Sequence, residues 1–209
     1  MVRAAVLVSG GGTNLQAILD AWQSDKLAGF YPAAVISSNP DAYALTRAET
    51  AGVSGYTLAW DKAGGRRQFS EELLHKLREL DIELVVLAGF MHILSGEIIN
   101  RYKNRIINIH PALIPSFSGE GCYGIRVHQM ALDYGVKLSG ATAHFVTADA
   151  DAGPVILQQA VQVLEDDTPE TLQKRIMQEA EQIILPEAIR LYCAGRLKVC
   201  GRIVRIENE

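Results

Sequence analysis

The sequence predicts an α/β fold: a single Rossmann-like domain over residues 1–209, with a mostly parallel central sheet flanked by helices. Three observations carry this expectation. Apolar runs of strand length alternate with segments of helical period along the chain. The run Leu84 to Ala88 is apolar at every position, the pattern of a strand covered on both faces. A glycine run lies between the first apolar run and the first helical segment, where a strand-to-helix unit makes its tight turn.

Taken in order, residues 2–8 form the first strand, and Leu15, Ile18, Leu19 and Trp22 recur at helical spacing after it. Residues 32–37 form a second strand that ends at Ser38-Asn39-Pro40, followed by an Ala-rich helix to Ala51. Phe69, Leu73, Leu74, Leu77 and Leu80 place an amphipathic helix over 66–80, and strands follow at 84–88 and from Ile106. A Gly/Pro-rich loop leads to a helix near 125–134 and to β segments around 138–146 and 154–163. Thr168-Pro169 starts a long helix toward Arg190, because Thr caps the first turn and proline at the first helical position lacks only an N–H that would be unpaired anyway. Residues 197–206 read as a hairpin-like tail. No repeat, low-complexity linker or charge block divides the chain.

Composition narrows the function. The three cysteines, Cys122, Cys193 and Cys200, are odd in number and form no C-x-x-C pair, which argues against a disulfide framework or a thiolate metal site and fits a reducing compartment. A net charge of −4 argues against a long polyanion as the main partner and leaves small anions open. No apolar stretch reaches the length of a membrane span, and the one before Ser9 is too short for a signal-peptide core. The expectation is a cytoplasmic protein with small-molecule partners, no nucleic acid, no membrane and no metal, as a monomer or homodimer.

Two motifs carry chemistry. Ser9-Gly10-Gly11-Gly12-Thr13-Asn14 stands where free backbone N–H groups at a helix start would cradle a phosphate. It fails the dinucleotide fingerprint, since Leu15 replaces the third glycine and no acid closes the second strand, and it lacks the Gly-Lys-Ser/Thr of a triphosphate loop. A sugar phosphate suits it better. Gly119, Gly121 and Gly124 match a G-x-G-x-x-G spacing without a preceding strand, and read as a mobile active-site loop.

The second motif is Ile106-Ile107-Asn108-Ile109-His110-Pro111. Alternation along a strand puts Asn108 and His110 on one face, and Pro111 ends the strand at the carboxyl edge of the sheet, where open α/β folds bind ligands. Downstream, Asp149 and Asp151 lie in an acidic loop after a second strand. A carboxylate beside the imidazole would raise its pKa and keep His110 protonated near neutral pH, ready to stabilise an oxyanion. Spacing alone does not choose between the two acids.

The segments Ser-Gly-Gly-Gly-Thr-Asn-Leu-Gln-Ala-Ile (9–18), Leu-Ala-Gly-Phe-Met-His-Ile-Leu (87–94), Asn-Ile-His-Pro-Ala-Leu-Ile-Pro (108–115) and His-Phe-Val followed by Asp-Ala-Gly-Pro-Val-Ile (144–156) resemble, in order, the signature regions of the phosphoribosylglycinamide formyltransferases, folate-dependent enzymes of purine synthesis. The resemblance spans nearly the whole chain. It implies Asn108, His110 and Asp151 as the catalytic trio, with Asp151 chosen because it directly precedes the x-Gly-Pro turn. It assigns Gly12, Thr13 and Asn14 to the phosphate of the ribonucleotide, and Gln178 and Glu181 to its ribose. For the cosubstrate, 10-formyltetrahydrofolate, it implies a pocket walled by Met91, His92, Ile93, Leu94 and Val146, with Arg66, Asn108 and Asp151 in contact. The chain departs from the family at His92, where Arg or Lys is common, at Ala152, where Gly is frequent, and at Gln182, where His is common. A formyltetrahydrofolate deformylase and a methionyl-tRNA formyltransferase are the alternatives within the superfamily.

Overall fold

A computed structural model describes residues 1–208. One sheet of nine strands runs through it, in the order β3-β2-β1-β4-β5-β6-β7-β9-β8. The strands are β1 (Val2–Val8), β2 (Phe30–Ser37), β3 (Gly55–Thr57), β4 (Leu84–Leu87), β5 (Ile106–His110), β6 (Leu138–Phe145), β7 (Val155–Gln162), β8 (Leu197–Cys200) and β9 (Ile203–Ile206). β3 through β5 pair in parallel, and β5, β6 and β7 are antiparallel. β7 meets β9 in parallel, and β8 with β9 forms the expected tail hairpin.

The helices are α1 (Thr13–Gln23), α2 (Tyr43–Thr50), α3 (Arg66–Glu79), α4 (Glu97–Arg101), α5 (Ile125–Tyr134), α6 (Pro169–Ile176) and α7 (Gln182–Cys193). Alternate residues of the central strands feed two cores. Val6, Val8, Ile107 and Ile109 pack toward Leu15, Ile18, Leu172 and Leu185 on one face, while Leu7, Val85, Leu87 and Ile106 pack toward Phe69, Leu73, Leu77 and Ile98 on the other. Each such buried side chain contributes about 1.5–3 kcal/mol, so the all-apolar β4 is explained by cover on both sides.

Three short elements, β3, a 3-10 turn at Trp60–Lys62 and α4, have no periodicity long enough to be read from sequence. The long helix expected from Thr168 to Arg190 starts as foreseen, with Thr168 and Thr171 exchanging capping hydrogen bonds, but it is not continuous. A π-helical turn, Met177–Glu181, separates α6 from α7, and Pro186 inside α7 has no N–H to offer the Gln182 carbonyl.

β1 is flanked by β2 on one side and β4 on the other, so the chain reverses its direction of travel across the sheet there. The carboxyl ends of β1, β4 and β5 open at this switch point, the usual ligand crevice of such sheets.

Candidate active site

A cavity of about 420 Å³ opens there, walled by the start of α1, the 89–94 loop, the end of β5, the 119–124 loop, β6 with its following loop, and the α6 to π-turn face.

At one end the glycine run leads into α1. Gly12 caps the helix with φ 71°, and a Cβ there would stand 2.7 Å from the Cβ of Ala44, so both conformation and close packing against α2 require glycine. Gly12 does not itself line the cavity; Thr13 and Asn14 do. Asn14 Nδ2 donates to Glu181 Oε2 at 2.6 Å, bridging the first helix to the π turn. Burial raises the Glu181 carboxyl above its ordinary range, and the Asn14 hydrogen bond only partly offsets this.

The π turn bears on one expected pair. In an α-helix Gln178 and Glu181, three apart, would share a face. Across the wider π turn the spacing of four is preserved instead, so Gln173, Met177 and Glu181 line the cavity, while Gln178 is exposed and outside its wall.

At the centre, Asn108 and His110 both line the cavity, as alternation along β5 requires. The antiparallel register of β6 sets His144 opposite Asn108 and Thr142 opposite His110. Asn108 Nδ2 lies 3.1 Å from His144 Nε2, and His144 Nδ1 lies 3.0 Å from the Phe145 carbonyl. A carbonyl only accepts, so Nδ1 carries the proton and Nε2 accepts from the Asn108 amide. Thr142 Oγ1 donates to the Ala112 carbonyl and accepts from Ile114 N–H, which anchors the turn after His110; the Ile114-Pro115 bond in it is cis.

Of the two acids left open by spacing, Asp151 is the one beside His110. Its Oδ2 is 3.4 Å from His110 Nδ1, and its Oδ1 is 3.7 Å from His144 Nε2. Asp151 takes the left-handed backbone at φ 50°, so Ala152 is spared positive φ and tolerates its Cβ. Gly153 lets this loop press onto β6, since a Cβ there would lie 1.6 Å from the Phe145 carbonyl oxygen. Burial opposes the Asp151 charge, but His144, His110 and the Gly119 N–H, which donates to Oδ2 at 3.1 Å, outweigh it and hold the carboxyl below its ordinary range. Of these the Gly119 N–H is the one that presents a proton in the resting tautomers, since His144 Nε2 accepts from Asn108 and His110 carries its proton on Nε2.

The expectation of a protonated His110 is corrected. Burial, at 4% exposure, pushes the ring below its usual pKa, and the opposing influences of Asp151 and the Phe117 carbonyl do not recover it. The resting ring is therefore neutral near pH 7. His110 Nε2 stands 2.8 Å from the Phe117 carbonyl oxygen, so Nε2–H is its donor.

On the opposite wall Met91, His92, Ile93, Leu94 and Val146 line the cavity. Met91 N–H donates to Ser9 Oγ, which ties this loop to the glycine run. His92 stacks on Trp60, ring centroids 4.0 Å apart and 10° from parallel, and burial lowers its pKa. Arg66, at the start of α3, lies outside the cavity wall; its guanidinium is 4.0 Å from Glu120, which does line it.

Sequence reasoning missed His144 as a partner of Asn108, His128 in the cavity wall, and the Phe117 and Gly119 backbone contacts. Only the antiparallel register of β6 would have revealed the first; the others depend on the loop's path. Among the described residues no group of His, Cys, Asp and Glu is placed to hold a metal ion, and no helix is long and apolar enough to cross a membrane.

A family model described as formyl transferase matches residues 2–189. The chain belongs to the formyl transferase family. This formyl transferase is 40% identical over 194 residues to the phosphoribosylglycinamide formyltransferase of Escherichia coli (strain K12), covering 93% of this chain and 88% of that protein. It is 39% identical to the trifunctional purine biosynthetic protein adenosine-3 of Gallus gallus, of which it spans 19%. Glycinamide ribonucleotide transformylase 1 from Symbiobacterium toebii superposes with a TM-score of 0.93 at 46% identity, over 100% of this chain and 95% of that one. A formyltetrahydrofolate deformylase from Pseudomonas syringae gives 0.88 at 28% identity, over 99% of this chain and 66% of the other.

Proposed function

We propose that this formyl transferase moves the formyl group of 10-formyltetrahydrofolate to the amine of glycinamide ribonucleotide, giving formylglycinamide ribonucleotide and tetrahydrofolate. One observation carries the reading. At the sheet rim His110 Nε2–H already donates to a carbonyl oxygen, that of Phe117, with the Asp151 carboxylate 3.4 Å from the other ring nitrogen. A formyl oxygen is an acceptor of the same kind.

In this reading the ribonucleotide lies toward Thr13, Asn14 and Glu181, with its phosphate on the free N–H groups that open α1, where Gly12 is needed to shape the turn. The folate lies along Met91 to Leu94 and Val146, a largely apolar wall suited to a flat bicyclic ring, with Arg66 outside the wall and 4.0 Å from Glu120. Glu181 meets the ribose from inside the cavity, and Gln178, expected beside it, is exposed outside the cavity wall. As the amine attacks, negative charge develops on the formyl oxygen, and the Asn108 amide N–H and the His110 N–H donate to it. The ring takes up the proton that the attacking amine gives up, Asp151 favours the protonated ring that results, and the ring passes that proton to the departing folate nitrogen as its bond to the formyl carbon breaks. Loss of one such donor typically costs about 10²–10³ in rate. The three unpaired cysteines fit the cytoplasm, with the whole chain acting as one domain, monomeric or homodimeric.

The test is a coupled assay of the purified protein with 10-formyltetrahydrofolate, with and without glycinamide ribonucleotide. Tetrahydrofolate formed only when the amine is present supports the transferase. Formyl release without the amine points to the deformylase, and no release in either arm defeats both.

A further inference from the structure

His128 is a buried polar group of the cavity wall that this chemistry leaves unused. It lies on α5, is 1% exposed and lines the cavity, yet neither of its ring nitrogens has a hydrogen-bond partner. A neutral imidazole carries one donor and one acceptor, so both are withdrawn from water without compensation, a condition that native interiors seldom tolerate. Its neighbours in the site differ. Asn108 pairs with His144, His110 with the Phe117 carbonyl, and Asp151 with the Gly119 N–H. The flanking α5 residues Val127 and Ala131 are apolar and fully buried, so a leucine at position 128 would continue that face with no polar atom to desolvate.

The ring is also close to the chemistry. It lines the same cavity as Asn108 and His110, and burial pushes its pKa down to about 4, so the ring is neutral at any ordinary pH. A neutral His at this depth is a fixed donor and acceptor, not a proton store.

Resting on the formyl-transfer reading, we propose that His128 is a further substrate-positioning residue: its ring supplies a hydrogen bond, direct or through one water, that fixes the reacting end of the bound substrates beside His110. The group it meets is a small polar one, an amine, amide or carbonyl of the substrates or the water between.

Two variants test this, His128→Leu and His128→Gln, read by kcat, by KM for each substrate and by thermal midpoint. Leu matches the volume and removes both polar atoms. It is expected to lower kcat about 10- to 100-fold, to change either KM by less than about threefold, and to leave the midpoint unchanged or a few degrees higher. Gln restores a donor and an acceptor and is expected to keep at least about a third of the turnover. A Leu variant with undiminished turnover overturns the proposal. So does a Leu variant that loses stability together with turnover, because the ring then has a partner inside the protein, and so does a Gln variant no better than Leu. Wild-type protein without formyl transfer would defeat the functional reading and this proposal together, whereas active wild type with an unimpaired Leu variant defeats this proposal alone.

Discussion

Glu181 and Asp151 both reach the cavity from inside the protein, and their surroundings drive them in opposite directions. Glu181 is 8% exposed and meets one donor, the Asn14 amide, so burial wins and its neutral form is favoured. Asp151 is 15% exposed at its side chain and faces a backbone N–H and two imidazoles, so its ionised form is favoured. Glu181 is the more deeply buried, and Asp151 has two imidazoles beside it as well as its backbone donor. One cavity thereby holds two carboxyls whose pKa values are driven apart, the kind of divergence that separates roles in a site.

The largest effect that would break this comparison lies at the reacting end. His110→Ala is expected to fold normally and lose about 10²–10³ in kcat, measured by the coupled assay; near wild-type turnover would remove His110 from the chemistry. Asp151→Asn is expected to lose about 10² in kcat/KM, with a smaller change in KM, because the ring loses the charge that favours its protonated form. The pH profile then sharpens the assignment. Since burial lowers the His110 pKa, the resting ring is neutral, and kcat/KM should climb along an acid limb centred below pH 6.5 and stay level above it. A profile that instead falls as pH rises through 6.5 would restore the protonated resting ring.

At the other end the effect is smaller and opposite in sign for stability. A carboxyl whose pKa is raised on folding stabilises the protein fully below its unfolded value, about 4.3, and this contribution fades as pH rises through the folded value. Glu181→Gln removes the buried charge, so unfolding in urea at pH 7 to 8 should require the same denaturant concentration or more, while at pH 4 the two proteins converge. KM for glycinamide ribonucleotide should rise only severalfold, about 1 kcal/mol of lost binding. A large loss of stability at pH 8 would mean that Glu181 is ionised and paired in the folded state.

Asp167 gives a control remote from the reacting groups and shows the least change in activity. Its carboxylate meets Arg175 through two hydrogen bonds of 2.5 and 2.6 Å and is held down to about 2, chiefly by that pairing. The pairing contributes above the unfolded value near 3.9 and is lost as pH falls toward 2. Asp167→Asn should lower the thermal midpoint at pH 7, with the gap to wild type narrowing between pH 4 and pH 2 and turnover nearly unchanged.

Legibility followed the range of the interactions. Asn108 and His110 were readable as a pair because strand alternation acts over two residues, and the capped start at Thr168 because capping acts over three. Glu181 and Gln178 looked equivalent because an α-helix was assumed; the π turn that separates them has no signature in local composition. The choice of Asp151 over Asp149 needed the path of the acidic loop against β6, where Gly153 lies on Phe145, and so lay beyond spacing.

What the sequence by itself determined is the alternation of strands and helices, the glycine turn at the start of α1 and the donor pair at the end of β5, since each depends on backbone sterics and side-chain period within a few residues. Only the tertiary structure decided the charge states. The directions in which the His110, Asp151 and Glu181 pKa values move depend on how much water is excluded around each group and which neighbours reach it, and those neighbours come from β6, the 119 loop and α1, far away along the chain.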